Sequence, residues 1–335
     1  MRDKIEMPKG FLKIVSDRGA RVLNRFLSIP AGGPEISDRI VDFAPETLAR
    51  VPVDKQTLVN SFSSMGNHRA ARIVKQLPER ADGALDPEAM DQLLVTVHCE
   101  MQRMSEEFQH GRRVAEMLNP ILQALREHDV ERPLRVVDIG CGTGYVVRWL
   151  TAHRALADDV ELIGADYNPA LIKEARRLAV AENLTCRFVI GNAFRLEEPA
   201  TVYLSTGVLH HFRGDELENL FARQNSPQTR AFLHFDFHQS LMAPFGSWLF
   251  HVVRMRQPLA KHDGVLSAVR AYTVNELLSA ARAGAPDFVP AVFGTRLWRL
   301  PIPRAFSSLV GVRPQYRDSF RANMGSRIAS LGVVE

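Results

Sequence analysis

Cysteine is scarce in this sequence. Cys99, Cys141 and Cys186 are all that 335 residues hold, odd in number and far apart, which argues against a disulfide framework or a zinc knuckle and for a reducing compartment. Long apolar runs are missing too: none reaches the ~18 residues a membrane span needs. The opening MRDKIEMPKG carries acids and has no apolar core of signal-peptide length. These absences lead us to expect a soluble, cytoplasmic protein without a membrane span. Internal repeats and low-complexity tracts are absent as well. Nor does one sign of charge prevail, since 42 Lys+Arg face 38 Asp+Glu for a net charge of +4. The excess collects late, where arginines at 296, 299, 304, 313, 317, 321 and 327 meet only Asp318 and Glu335. A nucleic-acid face is conceivable there, but scattered arginines usually form a solvated surface, so nucleic acid is the less favoured partner.

What is present is enough apolar material for a large core, 46% hydrophobic against 24% charged residues, and hence one large domain plus an appendage, or two domains. Residues 1–131 read as a helical N-terminal cap. Their clearest element is 85–118, where Leu93, Leu94, Val97, Met101, Met104, Phe108, Val114, Met117 and Leu118 recur at helical spacing and stop near Pro120. Upstream, GFLKIVSDRGARVLNRFLSI shows a similar period with a basic face, read as a packed helix in preference to a membrane-surface one.

From residue 132 to 335 the pattern changes. Short β-rich runs at 134–139, 160–165, 185–190, 201–205 and 230–237 alternate with helical ones near 144–153, 168–182, 213–223 and 273–283. Such alternation predicts parallel βαβ units in a twisted α/β sheet covered on both faces. Two last runs, 288–297 and 305–312, are joined by the short WRLPIP loop, too tight for a parallel crossover, so they pair as an antiparallel hairpin at the edge.

In an open α/β sheet the ligand lies beyond the carboxyl ends of the strands. The segment LRVVDIGCGTGYVVRWL (134–150) builds such an end: a strand closing on Asp138, then Gly140, Gly142 and Gly144, which let the backbone turn sharply and approach a ligand. A dinucleotide fingerprint needs its third glycine where Tyr145 stands, and no Gly-Lys-Ser/Thr follows for a phosphate loop. A nicotinamide-dependent dehydrogenase is disfavoured for that reason.

The turn resembles the first motif of the class I S-adenosylmethionine-dependent methyltransferases, and the resemblance runs on through residues 134–312. Asp166 in LIGADYNP looks like the second-strand acid that bonds the cofactor's ribose hydroxyls. A single carboxylate accepts both members of a diol, and Asn168-Pro169 already supplies the next helix's cap, leaving the acid free. VIGNAF resembles the third-strand motif facing adenine, with Asn192 where the family more often has Asp; a turn-closing amide is the alternative there. VYLSTGVLHHF is similar to the fourth-strand segment bordering the methionine part. The resemblance thus implies S-adenosyl-L-methionine as cofactor, with Asp138, Cys141, Tyr167, Ala193, Ser205 and Gly207 among its contacts beside the residues already named. It also implies a seven-stranded Rossmann-like sheet, doubly wound and mostly parallel, whose last strand is antiparallel.

Methyl transfer is an in-line displacement that positioning alone accelerates strongly, and a base is needed only where the acceptor must lose a proton. His211 and His210, ending the fourth-strand segment, are candidate bases. In FLHFDFHQ, alternation puts Leu233, Phe235 and Phe237 on one face and His234, Asp236 and His238 on the other. A polar face on an interior strand suggests an active-site wall, which adds Asp236 and His238 as catalytic candidates, against a His234 bonded inside the helix layer. His-x-Asp-x-His offers metal-ligand types, but the strand spacing is long for one ion, so no metal is assigned. Residues 240–270, with Phe245, Trp248, Phe250 and His251, read as a lid or acceptor-pocket wall, or else one more core helix. Phe108, His110, Arg112 and Arg113 are candidates for closing over the cofactor from the N-terminal side.

The expectation is a methyltransferase acting on an O or N atom of a small organic acceptor. The rivals are an RNA methyltransferase and a protein that keeps the fold and cofactor for another purpose; a homodimer is left open. No Asn-Pro-Pro-Tyr and no Pro-Cys motif of nucleic-acid base methylation occurs.

Overall fold

The computed structural model describes residues 33–195, 200–240, 242–294 and 304–335. The helix expected at 10–29, the 298–303 loop, Arg296 and Arg299 lie outside the described residues.

A strap at 33–41 leads into a two-stranded antiparallel ribbon, β1 (Asp42–Phe43) and β2 (Arg50–Val51), within a region the sequence suggested was mostly helical. Four helices follow, and local capping sets most of their starts. Asp54, Asn67 and Asp86 accept backbone N–H bonds at the heads of α1 (Lys55–Ser64), α2 (His68–Lys75) and α3 (Pro87–Glu107). The expected single helix over 85–118 is instead two, because Gln109 adopts a left-handed conformation (φ 55°) and re-aims the chain into α4 (His110–Glu127). Pro120 lies inside α4 without ending it. The Glu116 carbonyl that Pro120 leaves without an N–H accepts from Arg327 Nη1 at 3.3 Å instead.

The rest forms the expected seven-stranded sheet. Its strands are β3 (Leu134–Ile139), β4 (Val160–Asp166), β5 (Arg187–Ile190), β6 (Val202–Thr206), β7 (Ala231–Phe237), β8 (Val289–Phe293) and β9 (Phe306–Val312). They lie in the order β5-β4-β3-β6-β7-β9-β8. The pairs from β5 to β7 are parallel, and β9 runs antiparallel to both β7 and β8. Both faces are covered. Val136, Leu204 and Leu233 pack with Leu118, Ile121 and Leu122 of α4, in one core that also takes in Ile36 and Phe62 of the N-terminal region. Val137, Tyr203 and Phe232 meet Phe221 of α7 (Asp215–Gln224) and Leu277 of α10 (Val274–Gly284) on the opposite face. β7 is buried along its whole length, as a strand sandwiched between helix layers must be.

The strand order reverses between β3 and β6, so a crevice opens beyond their carboxyl ends. α5 (Tyr145–Ala152) and α6 (Pro169–Ala181) start beside it. The 240–270 segment folds as α8 (Ala243–Arg254) and α9 (Pro258–Arg270) over its far side. Among the described residues no helix is long and apolar enough to cross a membrane. The late arginines are largely engaged within the protein. Arg313 donates to the carbonyls of Thr229 and Ser226 and stacks over Phe288, Arg317 and Arg321 pair with Glu335, and Arg327 caps helix carbonyls.

Candidate active site

Beyond β3 the chain turns through Gly140, Gly142 and Gly144, all at positive φ (65°, 55° and 74°). A Cβ on Gly142 would lie 2.7 Å from His98 Nδ1, which α3 lowers onto the turn, and one on Gly144 would run into the Phe188 ring. Gly144 is thus a packing position, while Gly140 and Gly142 face the crevice. The turn is held by Asp166, whose Oδ2 accepts from Gly142 N and whose Oδ1 accepts from Asn168 N, each at 2.9 Å. Beside it Asp138, 2% exposed, has no partner for Oδ1. Burial, reinforced by the Asp166 charge, raises the Asp138 carboxyl to about 8. A buried carboxylate oxygen without a donor is costly, so this edge of the turn is made to meet a donor or a cation.

A cavity of about 370 Å³ extends from the turn. Its floor is the glycine turn with Asp138, Asp166 and Gly207; its walls come from Val97, His98 and Met101 of α3, from Leu259 and Gly264 of α9, and from Phe237 and Phe306. Tyr167, Asn192, Ala193 and Cys141 also line it. Asn192 already spends its amide, accepting from Phe194 N at 2.9 Å and donating to the Pro45 carbonyl at 3.3 Å, so in this structure it closes a turn and ties down the β1–β2 connection. Burial pushes the Cys141 thiol well above its ordinary value, which keeps it an uncharged wall.

The paired histidines end on the cavity, and the strap reaches them. His211 Nδ1 lies 2.7 Å from Asp38 Oδ1, whose other oxygen accepts from Arg270 Nη1 at 2.9 Å. Glu35, wholly buried, accepts from Ser267 Oγ at 3.0 Å and stands 3.7 Å from His210 Nε2. Burial lowers the His211 imidazole, but the Glu35 and Asp38 charges outweigh it and raise it to about 9. Burial raises Glu35 to about 8 against the pull of His211. It pushes Asp38 up as well, yet His211 and Arg270 hold that carboxyl below the usual range. Asp263 fixes the strap from α9, its carboxylate accepting from the Ile36 and Ser37 amides at 3.0 and 2.8 Å. Glu35, Asp38, Asp263 and Arg270 escape a sequence reading because nothing in their local pattern signals a site; each matters through contacts with residues distant in the chain.

Other candidates are placed differently. Asp236 does not line the cavity; it accepts from His210 N at 3.0 Å and from His210 Nδ1 at 2.8 Å, and so orients that ring. Ser205 also lies off the cavity, its hydroxyl 2.7 Å from His234 Nδ1, while His234 Nε2 meets Gln224 Oε1 at 3.0 Å. Both nitrogens of His234 are spent, on Ser205 of β6 and Gln224 of α7, so it is structural and the His-x-Asp-x-His side chains do not converge on an ion. His238, past the end of β7, lies outside the cavity wall. Glu35, His210 and His211 do bring ligand-type atoms within 4.8 Å of one another, with the Arg270 guanidinium 3.8 Å from Glu35 supplying positive charge there. His110 lines the cavity, whereas Arg112 pairs with Glu116 at the surface.

Residues 136–226 match the methyltransferase domain family. Demethylmenaquinone methyltransferase of Deinococcus radiodurans is 39% identical over 67 residues, which are 20% of this chain. The chain thereby spans about a quarter, 27%, of that relative's length. Among solved structures, magnesium protoporphyrin IX methyltransferase of Synechocystis with bound SAH is 17% identical, covering 78% of this chain and 99% of its own at a TM-score of 0.41. A putative O-methyltransferase of Nostoc punctiforme is 15% identical, covering 92% and 100% at a TM-score of 0.41. The matched residues 136–226, a methyltransferase domain by that likeness, hold the glycine turn and the strands β3 to β6 described above.

Proposed function

We propose that the whole chain is an S-adenosylmethionine-dependent methyltransferase that acts on an O or N atom of a small organic acceptor, with His211 as the base. One observation carries the reading: a single cavity joins the unpartnered Asp138 oxygen and the Asp166-braced turn to the His211–Asp38 pair.

The residues suit that cofactor. Asp138 offers a carboxylate oxygen to a positively charged group, Asp166 keeps lone pairs for a diol beside its two amide bonds, and Gly140 and Gly142 present bare backbone to the cavity. When bound, it supplies an electrophilic methyl on a cationic sulfur. The chain contributes binding, orientation and proton handling. Asp38 holds His211 Nδ1, so the Nε2 edge of the ring is left for the acceptor's proton. Arg270 donates to the His211 carbonyl at 2.8 Å and steadies the histidine pair. Strap residues Glu35 and Asp38 and the α3 residues Val97, His98 and Met101 line the cavity beside these groups.

A small acceptor is favoured over RNA because, among the described residues, no arginine or lysine lines the cavity. Calorimetry with S-adenosylhomocysteine tests the cofactor site: a single-site exotherm lost in Asp138→Asn and Asp166→Ala is expected, and the absence of heat with the unmodified protein defeats the reading.

A further inference from the structure

His110 stands at the start of α4, 2% exposed, and lines the cavity. Neither of its ring nitrogens has a hydrogen-bond partner. A neutral imidazole carries one donor and one acceptor, and leaving both buried and unmade is among the costlier arrangements a core can hold. Its surroundings explain why it cannot relieve this within the chain. The Phe235 ring stands edge-on at 5.0 Å and the Phe306 ring at 4.6 Å. Burial, with the Arg113 charge adding to it, lowers the imidazole to about 3, so the ring is neutral and cannot balance an anion.

The place of His110 in the sheet says which part of the cavity it serves. Asp138 and Asp166 end β3 and β4, whereas the rings against His110 belong to β7 and β9, on the far side of β6. From His110 a continuous aromatic wall runs back to the proposed base. Phe306 is followed by Phe237 at 4.6 Å, Phe237 by His210 at 5.5 Å, and His210 by His211 at 4.4 Å between ring centroids. A second imidazole on the cavity, His251, donates through Nδ1 to the Ser247 carbonyl at 2.7 Å, and its Nε2 too has no partner.

We propose that the acceptor is an uncharged aromatic compound lying along this wall, with its reacting hydroxyl at His211 and a second hydrogen-bonding group held by His110. The inference rests on the methyltransferase reading above and assigns the substrate class of that site. Aromatic walls favour a flat apolar body. The neutral His110 imidazole offers an anion no balancing charge at this end of the cavity. The unmade bonds of His110 require an oxygen or nitrogen function away from the reacting one.

The test uses the full chain saturated with S-adenosylhomocysteine and follows the intrinsic fluorescence of bound naphthalenes: the dihydroxynaphthalene isomers, the two naphthols and hydroxynaphthoates. At least one diol should bind roughly 10-fold tighter than either naphthol, the scale of one hydrogen bond to a buried group, and hydroxynaphthoates should bind more weakly than that diol. In His110→Phe the diol advantage should vanish while naphthol affinity and S-adenosylhomocysteine binding stay within about twofold. A diol advantage that survives in His110→Phe, a naphthoate that binds as well as the best diol, or no binding by any of them overturns the acceptor assignment. S-adenosylhomocysteine binding is measured separately, so its failure counts against the methyltransferase reading, and the naphthalenes are then read on the protein alone.

Discussion

His211 and Asp38 are 173 positions apart, yet their side chains meet at 2.7 Å, within hydrogen-bond distance. The contact joins the end of β6, where methyltransferase chemistry is expected, to a strap outside the 136–226 domain.

Removing this pair separates proton handling from binding. His211→Ala should lower kcat by ~10²–10⁴-fold for an acceptor that loses a proton, with the dissociation constant of S-adenosylhomocysteine changed little. Because the neighbouring carboxylates raise His211 to about 9, its proton must leave before it can act as a base. kcat/KM should therefore climb with pH through a midpoint near 9, and Asp38→Asn should move that midpoint down. A flat profile from pH 6 to 10 contradicts the role.

Asp138 should show function opposed to stability. Its folded value of about 8 lies above the ordinary 3.8, so the proton-linked stability it gives is full below pH ~4 and is lost as pH rises through 8. Asp138→Asn should leave the ligand-free protein more stable at pH 9, by at least ~1 kcal/mol, while abolishing S-adenosylhomocysteine binding. Thermal unfolding at pH 6 and pH 9 reads the first effect and calorimetry the second.

His234 should behave in the opposite way. With both nitrogens bonded to Ser205 and Gln224, His234→Ala should cost roughly 2–4 kcal/mol of stability from the lost packing and the partners left bare. Burial holds its folded value near 3, below the ordinary 6.5, so that stability is present above pH 6.5 and lost as pH falls toward 3. Denaturant melts give the loss, and a kcat held within about threefold shows that the ring has no part in the chemistry.

Gly142→Ala should fail at the turn itself. The new methyl would sit at φ 55° and 2.7 Å from His98 Nδ1, so a strain of ~1–2 kcal/mol joins a displaced His98. Calorimetry should show S-adenosylhomocysteine affinity reduced by at least tenfold, and unchanged affinity would mean that the turn does not approach the ligand.

The β-rich runs at 134–139, 160–165 and 230–237 and the glycine turn were legible because strand period and turn chemistry are local. Gly144, Ser205 and Asp236 were legible as members of their motifs, but not their roles: each does its work through a neighbour brought in by packing, the Phe188 ring, the His234 nitrogen and the His210 ring. Glu35 and Asp38 carry no periodic or motif signal, and only the folded chain sets them on the histidines. The break at Gln109 was hidden for a related reason, since a left-handed residue inside an apolar 3.6-residue pattern leaves the pattern unbroken on both sides.

Residues 36–38 of the strap reach the site through side-chain and amide contacts to His211, Arg270 and Asp263, a polar latch and not a fused wall. If product leaves by that route, each turnover must break and remake those bonds, and the rate of a fast catalytic cycle would be set by how often the latch lifts.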